Sequence, residues 1–430
     1  MFRFIHTGDL HLDSPFVGLS EVAPESVSQV LRDATFGAWR AVVSLAIESK
    51  ADFILVAGDT FEDANHTLRG QLRFVEGLGD LARAGISSFV VTGNHDHDGG
   101  WAPSVSWPEV SHRFPSGKVT SIGFDRDGQE VARVYGISYK TRDVRTNLAA
   151  KFSKDSGSAF AIGLLHANVG ADPSTENYAP CSLDNLRAAH MDYWALGHIH
   201  RPQVLCEPNP TIVYCGTPQG LDPSDTDPRG CFEVGVDDAG VIEATFHAVD
   251  LVRWQKVAVS ISGVTQDDVL VDRVTGAVDA ARSSADRSIV ARVRLIGRGP
   301  LHQSLRKGRY LDDVVALVRD RLGESTPFAW LESIRDETRP DINLEERRLA
   351  DDFLGDVLKR FQEMRVVLQA QDSGSNGGLE IKVAEEALDR LYEDPRARRL
   401  LLDTRPSGES LLRLLDRAEA RVADRLSGEE

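Results

Sequence analysis

The sequence predicts a larger N-terminal α/β domain, a smaller second α/β unit and a helical C-terminal region. Three features point there. Short β-branched apolar runs such as "DFILVAGD" and "YWALGHIH" read as strands buried on both faces. Amphipathic stretches of helical length alternate with them, the pattern of α/β architecture. Beyond about Pro340, Glu, Arg and Leu recur at helical spacing.

Taken in order, "FRFI" is the first strand. An amphipathic helix over about Val27–Ser49 leads to "DFILVAGD", and a second over about Leu68–Ala84 leads to "SSFVVTGNHDHD". Later strands are expected at Val134–Ser138, in "AFAIGLLHAN" and in "YWALGHIH". The strand-like "TIVYCGTPQG" comes next, and "GCFEVGV", "DDAG" and "VIEATFHAVDL" then read as a strand, turn and strand. These elements define a domain over residues 1–250. A small α/β unit over 251–338 has strands in "KVAVSIS" and "SIVARVRLIG" and helices near Asp267–Ser283 and Tyr310–Leu322. The helical region 339–430 is interrupted by "DSGSNGG", a flexible linker at 372–378. A length of 430 residues agrees with two or three domains.

Composition narrows the function. The net charge of −17 disfavours diffuse electrostatic binding of duplex DNA by this chain alone, unless bound divalent ions or a basic partner supply positive charge. No long uncharged apolar run predicts a membrane span. The start "MFRFIHTGDLHLDSP" lacks a secretory h-region, so the expectation is a cytoplasmic chain beginning at Met1. Cys181, Cys206, Cys215 and Cys231 form no CxxC pair and read as free thiols.

The chemistry lies where the apolar runs stop. Asp9 and His11 follow the first strand, Asp59 the second, and Asn94, His95 and Asp96 the third. His166 ends a later strand, and His198 and His200 follow the next. Residues at the carboxyl ends of several strands converge on one rim in open α/β sheets. Nitrogen and oxygen donors without thiolate suit manganese, iron or zinc. A carboxylate such as Asp59 can bridge two cations, and Asn94 can offer a neutral carbonyl oxygen. Two such ions clamp the attacking and leaving oxygens of an in-line phosphoryl displacement and activate a water near neutral pH.

The ordered series "GDLH", "GD", "GNHD", "H" and "GHIH" resembles the calcineurin-like metallophosphoesterase superfamily. Within it, "FIHTGDLHLDSPF", "YWALGHIHRPQ", "YCGTPQG" and "RGC" resemble the SbcD-type DNA repair exonucleases, especially their YhaO-like branch. The resemblance implies a four-layer α/β/β/α sandwich with a small α/β capping domain. It implies that Asp9, His11 and His200 bind one divalent ion, that Asn94, His166 and His198 bind the other, and that Asp59 bridges them. Manganese is the expected metal, with iron, zinc or magnesium as alternatives. His95 would contact the phosphate and protonate the leaving oxygen, the role chemistry gives a histidine near neutral pH. Asp96 either orients His95 or its loop, or is a simple turn residue. Also implied are exonuclease action on DNA ends or single strands, commonly from a 3′ end, an SMC-like ATPase partner and a homodimer. The charged helical tail would then dock on a coiled-coil partner, or else be a solvated appendage.

One position departs from the pattern. Some relatives carry His three residues beyond the bridging Asp, where this chain has Glu62; His66 is a candidate substitute. The departure bears on how single- and double-strand ends are handled. His6 reads as a satisfied core histidine. His97 and Asp98 read as exposed loop residues, while Asp13 is either a supporting group or a turn former. His112, His190, His247 and His302 lack motif context. Lys140, Arg142 and Arg145 either reach a phosphate backbone or open a solvated helix. Trp101 and Trp107 either stack on a base or pin a loop by packing. Two further function classes stay open: a phosphoesterase for a cyclic nucleotide or phosphoprotein, and a non-catalytic adaptor with a structural metal site.

Overall fold

The computed structural model describes residues 1–16, 19, 23–62, 67–98, 105–155, 157, 159–170, 176–371 and 409–426. His66, Trp101 and the expected linker at 372–378 lie outside them. The chain divides into two compact units. One comprises Met1–Val257, Val274–Val293 and Val315–Ile334; the other comprises Ala258–Arg273, Arg294–Val314 and Arg335–Glu430.

The first unit is built on two six-stranded sheets. One has the order β12-β11-β1-β2-β3-β4, from β1 (Phe2–Thr7), β2 (Phe53–Ala57), β3 (Ser87–Val91), β4 (Ser111–Arg113), β11 (Gly230–Val236) and β12 (Ile242–Ala248). The other runs β5-β6-β7-β8-β10-β9, from β5 (Thr120–Arg126), β6 (Gln129–Gly136), β7 (Phe160–His166), β8 (Tyr193–Gly197), β9 (Gln203–Cys206) and β10 (Thr211–Tyr214). The neighbours β1, β2 and β3 are parallel, as are β6, β7 and β8. Their carboxyl ends therefore share one direction within each sheet.

The apolar residues alternate as sheet geometry demands. Phe53, Leu55 and Ala57 of β2 join Phe4, Phe89, Ile162, Leu164, Tyr193 and Val213 in the core between the sheets. Phe4 and Phe53 stack there at 5.1 Å. Ile54 and Val56 face the opposite way, toward Trp39 and Val42 of α1 (Glu25–Glu48) and Phe74 and Leu78 of α2 (Leu68–Arg83). Behind the second sheet, Leu165, Trp194 and Leu196 pack with Leu186 of α3 (Leu183–Ala188), and Trp194 donates its indole N–H to the Leu186 carbonyl at 3.0 Å. The result is the expected α/β/β/α sandwich. His6 is fully buried with Nδ1 3.0 Å from the Tyr193 hydroxyl.

A third sheet has the order β13-β14-β15, from β13 (Val252–Ser260), β14 (Ser288–Ile296) and β15 (Ala329–Asp336). The helices α4 (Asp267–Ala285), α5 (His302–Leu305) and α6 (Tyr310–Leu322) lie between these strands in sequence. In the second unit, α7 (Leu344–Arg348), α8 (Phe353–Gln371) and α9 (Glu409–Leu426) enclose a small core of Leu344, Leu354, Leu358 and Ala423. Arg348 and Arg365 meet the buried Glu419 carboxylate at 2.7 and 2.6 Å. Arg298 and Arg339 meet Asp424 at 2.9 and 2.8 Å. Such buried carboxylates need these partners to offset their desolvation.

Some elements escaped the sequence patterns. The β5–β6 hairpin extends far beyond the expected strand at Val134–Ser138, because most of β5 is only half-buried and so lacks an apolar run. The third strand of the small sheet, β15, mixes charged and apolar residues for the same reason. No helix opens at Lys140; the chain stays irregular until a 3-10 turn at Ala149–Lys151. All four cysteines are unpaired. No helix among the described residues is long and apolar enough to cross a membrane.

Candidate metal centre

Three loops at the carboxyl edge of the first sheet build half of the site. The turns after β1 and β2 run side by side: the Asp9, His11 and Leu12 N–H groups donate to the carbonyls of Gly58, Asp59 and Thr60 at 2.9, 3.1 and 2.9 Å. Asp9, His11 and Asp59 hold left-handed backbone, with φ of 48°, 43° and 49°. Non-glycine residues in that region cost about 1–3 kcal/mol each and cluster at functional sites. The loop after β3 is locked to these two. Asp59 Oδ1 accepts the His95 N–H at 2.9 Å, while Asp96 accepts from Thr60 N–H at 2.8 Å and Gly93 N–H at 2.7 Å. Asp96 is buried behind the loops, so it orients the "GNHD" turn and does not line the cavity. Gly93 is required by close approach: a Cβ there would stand 2.3 Å from Asp59 Oδ1 and 2.8 Å from His166 Nε2.

The second sheet supplies the other half. His166, the last residue of β7, pairs Nδ1 with the Ala57 carbonyl at 2.9 Å. With Nδ1 donating to that carbonyl, Nε2 is the nitrogen turned toward the site, 3.0 Å from Asn94 Oδ1 and 3.2 Å from Asp59 Oδ2. The His198 N–H donates to both oxygens of Asp9, at 3.1 and 3.0 Å. The His198 Nε2 lies 2.8 Å from the Glu176 carbonyl oxygen, which leaves Nδ1 as the other ring nitrogen. His200 sets Nδ1 3.5 Å from Asp225 Oδ1.

Ligand atoms of Asp9, His11 and His200 lie within 4.8 Å of one another, and so do those of Asp9, Asp59 and His166. The structure thus brings all the metal-type residues expected from sequence into one place, with His95 among the residues lining the cavity. That cavity, of about 1130 Å³, is also lined by Glu62, Arg142, Tyr178, Arg201, Asp225 and Arg229.

The electrostatics call for cations. Burial and the Asp59 charge push the Asp9 carboxyl above its ordinary range. Burial opposes ionisation of Asp59 too, but the neighbouring His166, His95 and His11 outweigh it and hold that carboxyl low. Burial opposes charge on His166 and His200, yet nearby carboxylates, Asp59 for one and Asp225 for the other, push both to about 9. His198, buried beside His166, falls to about 4. Meanwhile His11 Nε2 is buried without a hydrogen-bond partner. Converging nitrogen and oxygen ligand atoms, an orphaned imidazole nitrogen and two adjacent buried carboxylates fit divalent ions.

Two contributors lay outside the site residues expected from sequence. Glu62 places Oε2 3.0 Å from His11 Nδ1 and Oε1 2.6 Å from His95 Nδ1. Asp225, which holds His200, sits in "LDPSDTDPRG", where nothing local sets it apart from its acidic neighbours. Of the residues left open, Arg142 lines the cavity, whereas Arg145 lies over the Tyr178 ring at 5.0 Å. Trp107 packs against Phe74 at 5.6 Å. Asp13 accepts a hydrogen bond from Thr67 and pairs with Arg69 at 3.3 Å, and Asp98 pairs with Arg113.

Residues 2–202 match the calcineurin-like phosphoesterase family, and residues 254–339 match the middle domain of the metallophosphoesterase YhaO. The uncharacterized metallophosphoesterase YhaO of Bacillus subtilis (strain 168) is 34% identical over 357 residues, spanning 83% of this chain and 86% of that protein. The chain belongs to the calcineurin-like metallophosphoesterases. This metallophosphoesterase is also similar to the DNA double-strand break repair protein Mre11 of Haloferax volcanii, 29% identical over 258 residues, 59% of this chain and 52% of that one. The SbcD component of the nuclease SbcCD of Bacillus subtilis (strain 168) is 25% identical over 254 residues, 50% of this chain and 61% of that one. The chain thus spans about half to three-fifths of these two relatives. Among solved structures, a dimetal phosphatase from Danio rerio aligns with a TM-score of 0.37 at 9% identity, covering 58% of this chain and 96% of that one. Family and site together make the protein a hydrolase of phosphoesters, with Asp9, His11, Asp59, His166 and His200 as a candidate metal site.

Proposed function

We propose that this metallophosphoesterase is a manganese-dependent DNA exonuclease that hydrolyses phosphodiesters at ends or single strands. The observation that carries the chemistry is the convergence of Asp9, His11, Asp59, His166 and His200, with Asn94 against His166 and His198 against Asp9, next to the cavity that His95 lines. Support for DNA as substrate comes from the similarity to Mre11 and to the SbcD component of the SbcCD nuclease, and from a cavity larger than a drug-sized ligand occupies.

Asp9, His11 and His200 are assigned to one ion, Asn94, His166 and His198 to the other, and Asp59 to both. Bound there, two divalent ions supply Lewis-acid charge and a water acidic enough to ionise near neutral pH. The protein does the rest. Asp59 and Asp96 hold the His95 loop through backbone N–H groups. Burial opposes charge on His95, but the Glu62 and Asp59 carboxylates outweigh it and raise its pKa. An imidazolium at that position delivers a proton to the departing sugar oxygen. Arg142 and Arg201, on the cavity wall, supply positive charge for a phosphate backbone in a chain that is otherwise acidic.

The same reading assigns the protein to the cytoplasm, as a homodimer with an SMC-like ATPase as partner, the small α/β unit shaping substrate access and the helical tail docking on that partner. Co-purification with a neighbouring ATPase tests this part. The net charge of −17 favours a second substrate class, a cyclic nucleotide or phosphoprotein. Parallel assays with manganese on linear duplex, single-stranded DNA and a cyclic nucleotide decide between them. Release of nucleotides from DNA supports the proposal; turnover of the cyclic nucleotide alone replaces it.

A further inference from the structure

Glu62 connects the two halves of the chemistry. Its side chain is half-buried, and its two oxygens serve two different imidazoles, His11 at 3.0 Å and His95 at 2.6 Å, whose rings meet edge to face at 5.3 Å. A carboxylate only accepts, so the hydrogen bond with His11 requires a protonated Nδ1 on that ring, and the ion-pair contact turns Nδ1 of His95 toward the other Glu62 oxygen. For His11 that leaves Nε2 as the lone-pair nitrogen, and this is the buried atom lacking a hydrogen-bond partner. For His95 it leaves Nε2 as the nitrogen available to substrate.

We propose that Glu62 is a positioning residue: a single carboxylate that sets the tautomer of His11 for the metal and the orientation of His95 for the leaving group. The inference rests on the roles assigned above to His11 and His95. An amide cannot reproduce the arrangement. Glutamine has one accepting oxygen and one donating nitrogen, so one of the two histidines must turn a lone pair toward it and move its proton to Nε2.

The test uses the full chain and four variants: Glu62→Gln, Glu62→Asp, His95→Gln and the double variant E62Q/H95Q. Manganese affinity is measured by calorimetry. Turnover at saturating manganese is measured on bis-p-nitrophenyl phosphate, whose leaving group departs without help, and on diphenyl phosphate, which needs a proton more. E62Q should bind manganese roughly tenfold more weakly, in the range for residues that orient metal ligands. Its kcat should fall more on diphenyl phosphate than on the nitrophenyl ester. In the His95→Gln background, adding E62Q should leave kcat unchanged yet still weaken manganese binding, because the first effect passes through His95 and the second through His11. E62D, which keeps two accepting oxygens, should retain more of both properties than E62Q. Wild-type manganese affinity together with equal kcat losses, or none, on both esters overturns the role of Glu62, as does E62D performing worse than E62Q. A wild-type chain that binds no manganese and hydrolyses neither ester overturns the site assignment itself, which is a separate result.

Discussion

The backbone N–H of His198 donates to both carboxylate oxygens of Asp9, at 3.1 and 3.0 Å, across 189 residues of sequence. One hydrogen-bonded pair therefore ties the ligand loop of the first sheet to that of the second. His198 itself takes a φ of 98° to present the N–H, so the contact is held against backbone strain.

Asp9 is buried beside a second carboxylate, and its charge is a liability without an ion. Asp9→Asn keeps an oxygen for the His198 N–H and removes that charge. In EDTA the variant should melt at or above the wild-type temperature. With manganese at a hundredfold excess over Kd, the wild type should gain about 2.7 kcal/mol and the variant far less. Thermal unfolding with and without metal checks both signs.

His95→Gln should bind manganese as the wild type does, since His95 lies outside the assigned ligand set, and should lose about 10²- to 10⁴-fold in turnover of a substrate with a poor leaving group. Undiminished turnover would remove His95 from the mechanism.

Gly93→Ala adds one methyl group where a Cβ would stand 2.3 Å from Asp59 Oδ1. The Asp59 carboxylate must move, and with it the His95 N–H that it accepts. Manganese affinity should fall roughly 10- to 100-fold while the fold persists, as circular dichroism and calorimetry would show.

His6 gives a pH effect away from the ligand set. Burial pushes its pKa down from 6.5 to about 3, so the folded state keeps it neutral while the unfolded chain protonates below pH 6.5. The unfolded state then binds the extra proton, and stability falls as pH drops from 6.5 toward 3, by about 1.4 kcal/mol per unit. Above pH 6.5 the effect is absent. His6→Gln should remove one proton from the slope over that window in urea titrations in EDTA.

Much of the candidate site was legible because each metal-type residue sits where a buried strand stops. "DFILVAGD" and "YWALGHIH" encode both the strand and the polar turn in one short segment, and every β2 and β8 residue is buried as the apolar runs implied. Half-exposed strands such as β5 offered no such signal. Glu62 was visible only as a departure from a motif, and the sequence did not reveal that it meets His11, 51 positions away, and His95.

The sequence by itself determined the candidate metal-type residues, the strands that present them and the hydrolytic chemistry such residues suit. Tertiary structure alone decided which donor faces which: that His166 converges with Asp59 and Asn94, that Asp96 braces a loop instead of lining the cavity, and that Glu62 joins two imidazoles. The reason is physical. Strand and turn preferences are local, whereas a hydrogen bond between loops exists only after sheet order and the packing of Phe4, Phe53 and Tyr193 between the sheets have brought those loops together.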